Sequence, residues 1–294
     1  MESNLSSTKE TFLNTSNEFS DSNIILLGIP LDLTATFRKG TSHGPEMIRN
    51  ASLDLESYDL FFEYDIEDAS FCDLGDINIE SSNLQGSFET IINVAKEIRQ
   101  QNKNIISLGG EHSITYPMTR TLENDLIIQF DAHADLREEY LGEKWTHASV
   151  MKRILDENDK VSILNLGLRA LSKEERNYIR KENRFTYIDT YKIIKDPLED
   201  TIKYILDFSS KFKNIYVSID LDVLDLASCP GVSNPEPGGL PYLTLKNLLK
   251  GMLPLSQKIQ GLDVVELNPL FDKNSSPFIA AKIIFDLLSI LSIS

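Results

Sequence analysis

Eight short apolar runs decide what this chain can fold into. They are IILLGI (24–29), FCDL (71–74), IISLGG (105–110), LIIQFD (126–131), VSILNLGL (161–168), FTYI (185–188), IYVSID (215–220) and GLDVVEL (261–267). Most lack the polar alternation of a strand with one wet face, so they suit parallel strands buried on both faces. Amphipathic segments lie between them. Over 86–101, Phe88, Ile91, Ile92, Ala95 and Ile98 recur at spacings of three and four, which is one face of a helix. Segments 148–157, 173–182, 198–211, 244–252 and 277–291 read the same way, with Pro277 placed for a helix start. Strand–helix alternation of this kind predicts a single α/β domain over 23–294, with helices on both faces of a mostly parallel sheet.

Residues 1–22 are polar and rich in Ser, Thr, Asn and Glu, and read as an N-terminal tail. They lack the apolar core of a secretory signal and the Arg bias of a transit peptide. With two distant cysteines, Cys72 and Cys229, expected as reduced thiols, this predicts a cytoplasmic protein. No run of 18 apolar residues suggests a membrane span. The formal charge of −16 repels phosphate backbones, arguing against nucleic-acid binding, and mildly favours cationic small molecules.

In parallel α/β sheets, functional groups gather beyond the carboxyl ends of strands. Four runs end in chemistry: Glu111-His112-Ser113, Asp131-Ala132-His133-Ala134-Asp135, Asp220-Leu221-Asp222 and Glu266-Leu267-Asn268. Burying so many carboxylates together needs a counter-charge. Side chains alternate along a strand, so 131, 133 and 135 share a side if the extension continues, as do 220 and 222. His112, Asp131, His133, Asp135, Asp220 and Asp222 then form a six-ligand set for two divalent cations. Its imidazole and carboxylate donors suit Mn²⁺, with Co²⁺, Fe²⁺ or Ni²⁺ as alternatives, and no thiolate argues for a structural zinc.

The motifs GGEHS (109–113), DAHADLR (131–137), SIDLDVLD (218–225) and DVVELNP (263–269) resemble those of the ureohydrolases, the arginase/agmatinase family, from about residue 23 to the C-terminus. The resemblance implies a three-layer α/β/α fold with an eight-stranded parallel sheet, a di-manganese centre and assembly as a homo-trimer or homo-hexamer. Carried over, it puts His112, Asp131, Asp135 and Asp220 on one metal and Asp131, His133, Asp220 and Asp222 on the other. His147 matches the family's active-site histidine, and Glu266 the carboxylate that pairs with the substrate guanidinium. Asp263 reads as support behind the ligands. His43 matches no family ligand and reads as a loop residue near the entrance.

That reading implies hydrolysis of a guanidino compound to urea and an amine, with water as nucleophile and the leaving amine taking a proton through Asp131 or His147. The loop 136–146 and the Gly-Leu-Arg segment at 167–169 are the expected selective parts. Arginases carry an Asn/Ser-rich loop there, which is missing, whereas Glu138 and Glu139 would suit a second cationic end, as in agmatine. EYLGEKWTHASVMKRI resembles archaeal-type agmatinases. Aminopropyl-agmatine, arginine and guanidino acids are the alternative substrates. Two rival readings are a single-zinc deacetylase of similar architecture and a catalytically silent metal-binding regulatory subunit. The full ligand set argues against both.

Overall fold

Each of the eight apolar runs forms a strand in the computed structural model, which describes residues 2–80, 82–123 and 125–293. In chain order the elements are β1 (Leu5–Ser6), β2 (Ile24–Ile29), α1 (Gly44–Ser52), β3 (Tyr58–Asp59), β4 (Tyr64–Asp65), β5 (Phe71–Ile77), α2 (Leu84–Arg99), β6 (Asn104–Gly109), α3 (Thr115–Thr119) and β7 (Leu126–Phe130). There follow α4 (Val150–Glu157), β8 (Ser162–Leu168), α5 (Lys173–Ile179), β9 (Phe185–Asp189), α6 (Thr190–Lys195), α7 (Leu198–Ser209), β10 (Ile215–Asp220), α8 (Tyr242–Gly251), β11 (Ile259–Val265) and α9 (Ser276–Ser292).

The main sheet has nine strands in the order β1-β5-β2-β6-β11-β10-β7-β8-β9. All its pairings are parallel except β1 with β5, so the expected eight-stranded parallel sheet gains one short antiparallel edge. Residues along each strand alternate between two cores. Leu26, Ile106, Ile128, Val217 and Val264 pack with Ile48 of α1, Ile205 of α7, Leu245 of α8 and Ile283 of α9. Their neighbours Ile25, Ile105, Ile127, Tyr216 and Val265 face the other way, against Ile91 of α2, Met118 of α3 and Met151 of α4. Both faces are dry, which is why the strands carry no polar alternation. Among the described residues no helix is long and apolar enough to cross a membrane.

The segment read as a polar tail packs along the sheet edge. Phe12 is fully buried, and its N–H donates to Asp73 Oδ2 at 2.8 Å. Asp73 and Asp76 in turn clamp the buried Arg49 of α1 through contacts of 2.6–2.9 Å. Burying one Phe contributes about 1.5–3 kcal/mol, enough to hold the stretch down. Its pairing with β5 also covers a strand edge that would otherwise invite another chain.

Candidate metal centre

Strands β6, β11, β10 and β7 lie side by side in the middle of the sheet, and each ends in one of the four chemical motifs. Parallel pairing points all their carboxyl ends the same way, so His112, Glu266, Asp220 with Asp222, and Asp131 with His133 meet over one edge. Gly110 makes the first of these turns feasible, because a Cβ there would sit 2.1 Å from the Leu31 carbonyl oxygen.

His112 Nδ1 lies 3.2 Å from Asp131 Oδ2, 2.9 Å from Asp135 Oδ2 and 3.4 Å from Asp220 Oδ2. It is buried and has no aligned hydrogen-bond partner. On the far side of Asp131, His133 Nδ1 stands 3.6 Å from Asp131 Oδ1 and 2.9 Å from Asp222 Oδ2. The two groups His112–Asp131–Asp220 and Asp131–His133–Asp222 each gather their ligand atoms within 4.8 Å of one another. Asp131 offers one oxygen to each group, the geometry of a carboxylate shared by two cations.

The electrostatics ask for those cations. Burial, together with the charge of Asp131, pushes Asp135 up to about 7. Burial with Asp222 and Asp131 raises Asp220 well above the carboxylate range. Burial opposes protonation of His112, yet Asp131, Asp135 and Asp220 outweigh it and raise that imidazole well above its ordinary value. Such a cluster takes up positive charge, as protons or as cations, and a hard divalent cation fits the oxygen-rich donor set.

Asp135 joins the cluster by a different route from the expected alternation. β7 ends at Phe130, and Asp135 has φ of 54°, so a left-handed turn aims it inward. Its backbone also holds α4, accepting the Lys152 N–H at 3.1 Å. Asp222 likewise sits in a tight turn after β10, where its N–H donates to Asp220 Oδ1 at 2.8 Å. Glu266 has φ of 67° just past β11. Strained backbone at two such residues fits a site whose positions the surrounding fold enforces.

Supporting residues complete the cluster. His112 Nε2 is 3.0 Å from Ser218 Oγ, which donates to Asp263 Oδ1 at 2.6 Å. Asp263 Oδ2 accepts from Thr115 at 2.8 Å and Tyr216 at 2.7 Å, so Asp263 stands behind the ligands as expected. With Nε2–H donating to Ser218, the Nδ1 lone pair is free for a metal. Gln129 Nε2 donates to Asp131 Oδ2 at 2.7 Å and orients that carboxylate. Neither Ser218 nor Gln129 stands out in the sequence, although Ser218 lies two residues before Asp220 on β10 and Gln129 two before Asp131, just inside the end of β7.

Glu266 Oε1 accepts the His112 N–H at 2.7 Å, and burial together with the Glu111 charge raises its carboxyl to about 8. His147 is buried beside the cluster at the head of the turn preceding α4, its ring edge-on to Tyr140 at 5.9 Å. Burial and the positive charge on His112 press His147 down to about 4. His43 is exposed in the turn before α1.

Glu138 is turned onto α4, 3.2 Å from Lys152 and 3.5 Å from Arg153, with its side chain half exposed. Glu139 next to it is exposed. Arg169 spends its guanidinium on the backbone carbonyls of Gly167, Asp222, Val223, Glu236 and Pro237, at 2.6–3.4 Å. It pins the Pro/Gly-rich loop at 229–239 to the end of β10.

A three-layer α/β/α fold with paired His–carboxylate groups at the strand ends defines the class of metal-dependent amidinohydrolases. The chain belongs to the Arginase family, whose pattern it matches over residues 22–289. It is 35% identical over 270 residues to an agmatinase of Pyrococcus horikoshii, covering 91% of this chain and 92% of that one. It is 31% identical over 263 residues to an N(1)-aminopropylagmatine ureohydrolase of Thermococcus kodakarensis, covering 89% and 88%. The crystal structure of the agmatine ureohydrolase of Thermoplasma volcanium superposes with a TM-score of 0.86 at 30% identity, over 97% of this chain and 95% of that one.

Proposed function

We propose that this chain hydrolyses agmatine to urea and putrescine with two Mn²⁺ ions. The observation that carries the reading is the pair of His–carboxylate groups joined through Asp131. His112, Asp131, Asp135 and Asp220 would hold one ion, and Asp131, His133, Asp220 and Asp222 the other. When bound, the ions supply Lewis acidity and lower the pKa of the water that serves as nucleophile.

The chain's own residues do the rest. Glu266, anchored through one oxygen by the His112 N–H, would form a charge-assisted pair with the guanidinium, whose positive charge favours the ionised carboxylate against burial, and set its carbon in place. As the water oxygen bonds to that carbon and the C–N bond breaks, the departing amine takes a proton. His147, held neutral by its burial, passes that proton on from Asp131 or from solvent. Homo-trimeric or homo-hexameric assembly and a cytoplasmic location go with this reading.

Agmatine is favoured by the names of the relatives and by the absence of the arginase-type Asn/Ser loop. Aminopropyl-agmatine is the second reading, supported by the Thermococcus relative. Urea release from agmatine, aminopropyl-agmatine, arginine and guanidinobutyrate, measured side by side on the Mn²⁺-loaded protein, separates them. A preference for agmatine is expected. Preference for arginine would overturn the substrate, and no urea from any of the four would overturn the activity.

A further inference from the structure

His147 is held by a contact that the metal chemistry does not explain. The loop after β2 brings Thr34 against it, and Thr34 Oγ1 has three polar neighbours. The His147 backbone N–H reaches it at 3.0 Å, the His147 ring nitrogen Nδ1 lies at 3.2 Å, and Glu111 Oε1 lies at 2.8 Å. The Thr34 N–H donates to the other oxygen of Glu111 at 2.7 Å, and Ser113 donates to Oε1 at 2.6 Å. Glu111 thus receives three hydrogen bonds. Its own N–H donates to the Leu31 carbonyl at 2.8 Å, which fixes the loop to the turn after β6.

The proton count at Thr34 is restrictive. A hydroxyl has one proton and two lone pairs. One lone pair is taken by the His147 N–H, since a backbone N–H can only donate. Burial raises the Glu111 carboxyl while its three donors favour the ionised form, and with Glu111 ionised the Thr34 proton goes to it. Only a lone pair remains to face His147 Nδ1, so that nitrogen must carry a hydrogen. We propose that Thr34 is a positioning residue that fixes His147 as the Nδ1–H tautomer, leaving Nε2 as the nitrogen that exchanges a proton with the substrate. Tyr140 meets the ring at 87° from another side and limits its rotation. The sequence gives Thr34 no such prominence, because its partner lies 113 residues away.

The proposal deepens the reading of His147 as a proton carrier, and its test has a readout apart from turnover. Nitrogen-15 NMR of the full, metal-free chain labelled at histidine reports the tautomer of each of the four histidines. His147→Asn identifies the signal to follow. Above pH about 6.5, where an ordinary imidazole is neutral, His147 is expected as Nδ1–H in the wild type and in Thr34→Ser. It is expected as a mixture in Thr34→Val, which keeps the shape and loses the hydroxyl. In the Mn²⁺-loaded enzyme, Thr34→Val should lower kcat about 10–100-fold, within the usual range for losing a well-placed acid–base group. KM should move less than about threefold, and Thr34→Ser should recover kcat to within about threefold of wild type. An Nε2–H signal in the wild type would overturn the proposal, as would wild-type kcat in Thr34→Val. If Thr34→Val fails to fold, the wild-type signal and Thr34→Ser still decide it. If the wild type releases no urea from any guanidino compound, the proposed activity falls while the tautomer measurement stands.

Discussion

Replacing Ser218 by Ala should weaken metal binding without touching a ligand. Its hydroxyl bridges His112 Nε2, at 3.0 Å, and Asp263 Oδ1, at 2.6 Å. Thr115 Oγ1 lies 3.3 Å from the Ser218 oxygen but already donates to Asp263 Oδ2, so it does not replace the lost hydroxyl as it stands. The variant leaves the imidazole N–H buried without an acceptor, which costs about 1–3 kcal/mol. It also frees the ring to turn and to adopt the other tautomer, which puts a hydrogen where the metal belongs. Loss of such a support typically weakens metal affinity about 10–100-fold, or about 1.4–2.8 kcal/mol. At 30-fold, the extra stability that saturating Mn²⁺ confers should fall by about 2 kcal/mol. Calorimetric Mn²⁺ titration gives the affinity, and urea unfolding with and without Mn²⁺ gives the stability. Ser209→Ala makes the same chemical change at a buried hydroxyl on α7 that has no hydrogen-bond partner among the described residues, and should leave Mn²⁺ affinity unchanged. Wild-type Mn²⁺ affinity in Ser218→Ala, or an equal loss in Ser209→Ala, would refute the reasoning.

Three further outcomes follow from the geometry. Glu138→Gln should leave KM for agmatine within about twofold, because that carboxylate is engaged with Lys152 and Arg153; a tenfold rise would restore its role as a substrate contact. Lys246 is buried 2.8 Å from Asp59 and 2.6 Å from Asp286; Lys246→Ala leaves Asp59 with Lys282 at 2.8 Å but removes the ammonium from the buried Asp286, and should cost about 3 kcal/mol in urea unfolding, whereas a loss below about 1 kcal/mol would show that the pairing contributes little. Because burial and positive charge at His112 hold His147 down to about 4, it stays neutral between pH about 5 and 8 and should contribute no step to the kcat profile there. A bound cation near His112 acts in the same direction. An acid limb near pH 6.5 that disappears in His147→Asn would contradict this.

The strands were legible because both sheet faces are dry. Each predicted run formed a strand, and six helical segments appeared within a few residues of their expected ends. Helices α1, α3 and α6 were not among the expected segments. Strand order was illegible, since it arises from crossovers: β10 and β11, late in the chain, insert between β6 and β7. The cluster of His112, Asp131, His133, Asp135, Asp220 and Asp222 was readable because its acidic and imidazole groups stand at or just past the ends of apolar runs. Their supports were not. Ser218, Gln129, Thr34 and Glu111 act through partners distant in sequence or hidden inside strands, and no periodicity marks a hydroxyl that takes one proton to one acceptor. The partners of Glu138 and Arg169 were hidden for a related reason: a charge in a loop looks available until the fold supplies its partners. The N-terminal stretch misled similarly, because one buried Phe12 among polar residues leaves little trace in composition.

The central claim is that two cations share Asp131. The most direct test loads the wild-type chain with Mn²⁺, counts bound ions per chain and records the electron paramagnetic resonance spectrum. Two ions per chain with a spin-coupled spectrum are predicted, with the coupling lost in Asp131→Asn. One ion per chain, or two that show no magnetic coupling, would contradict the account.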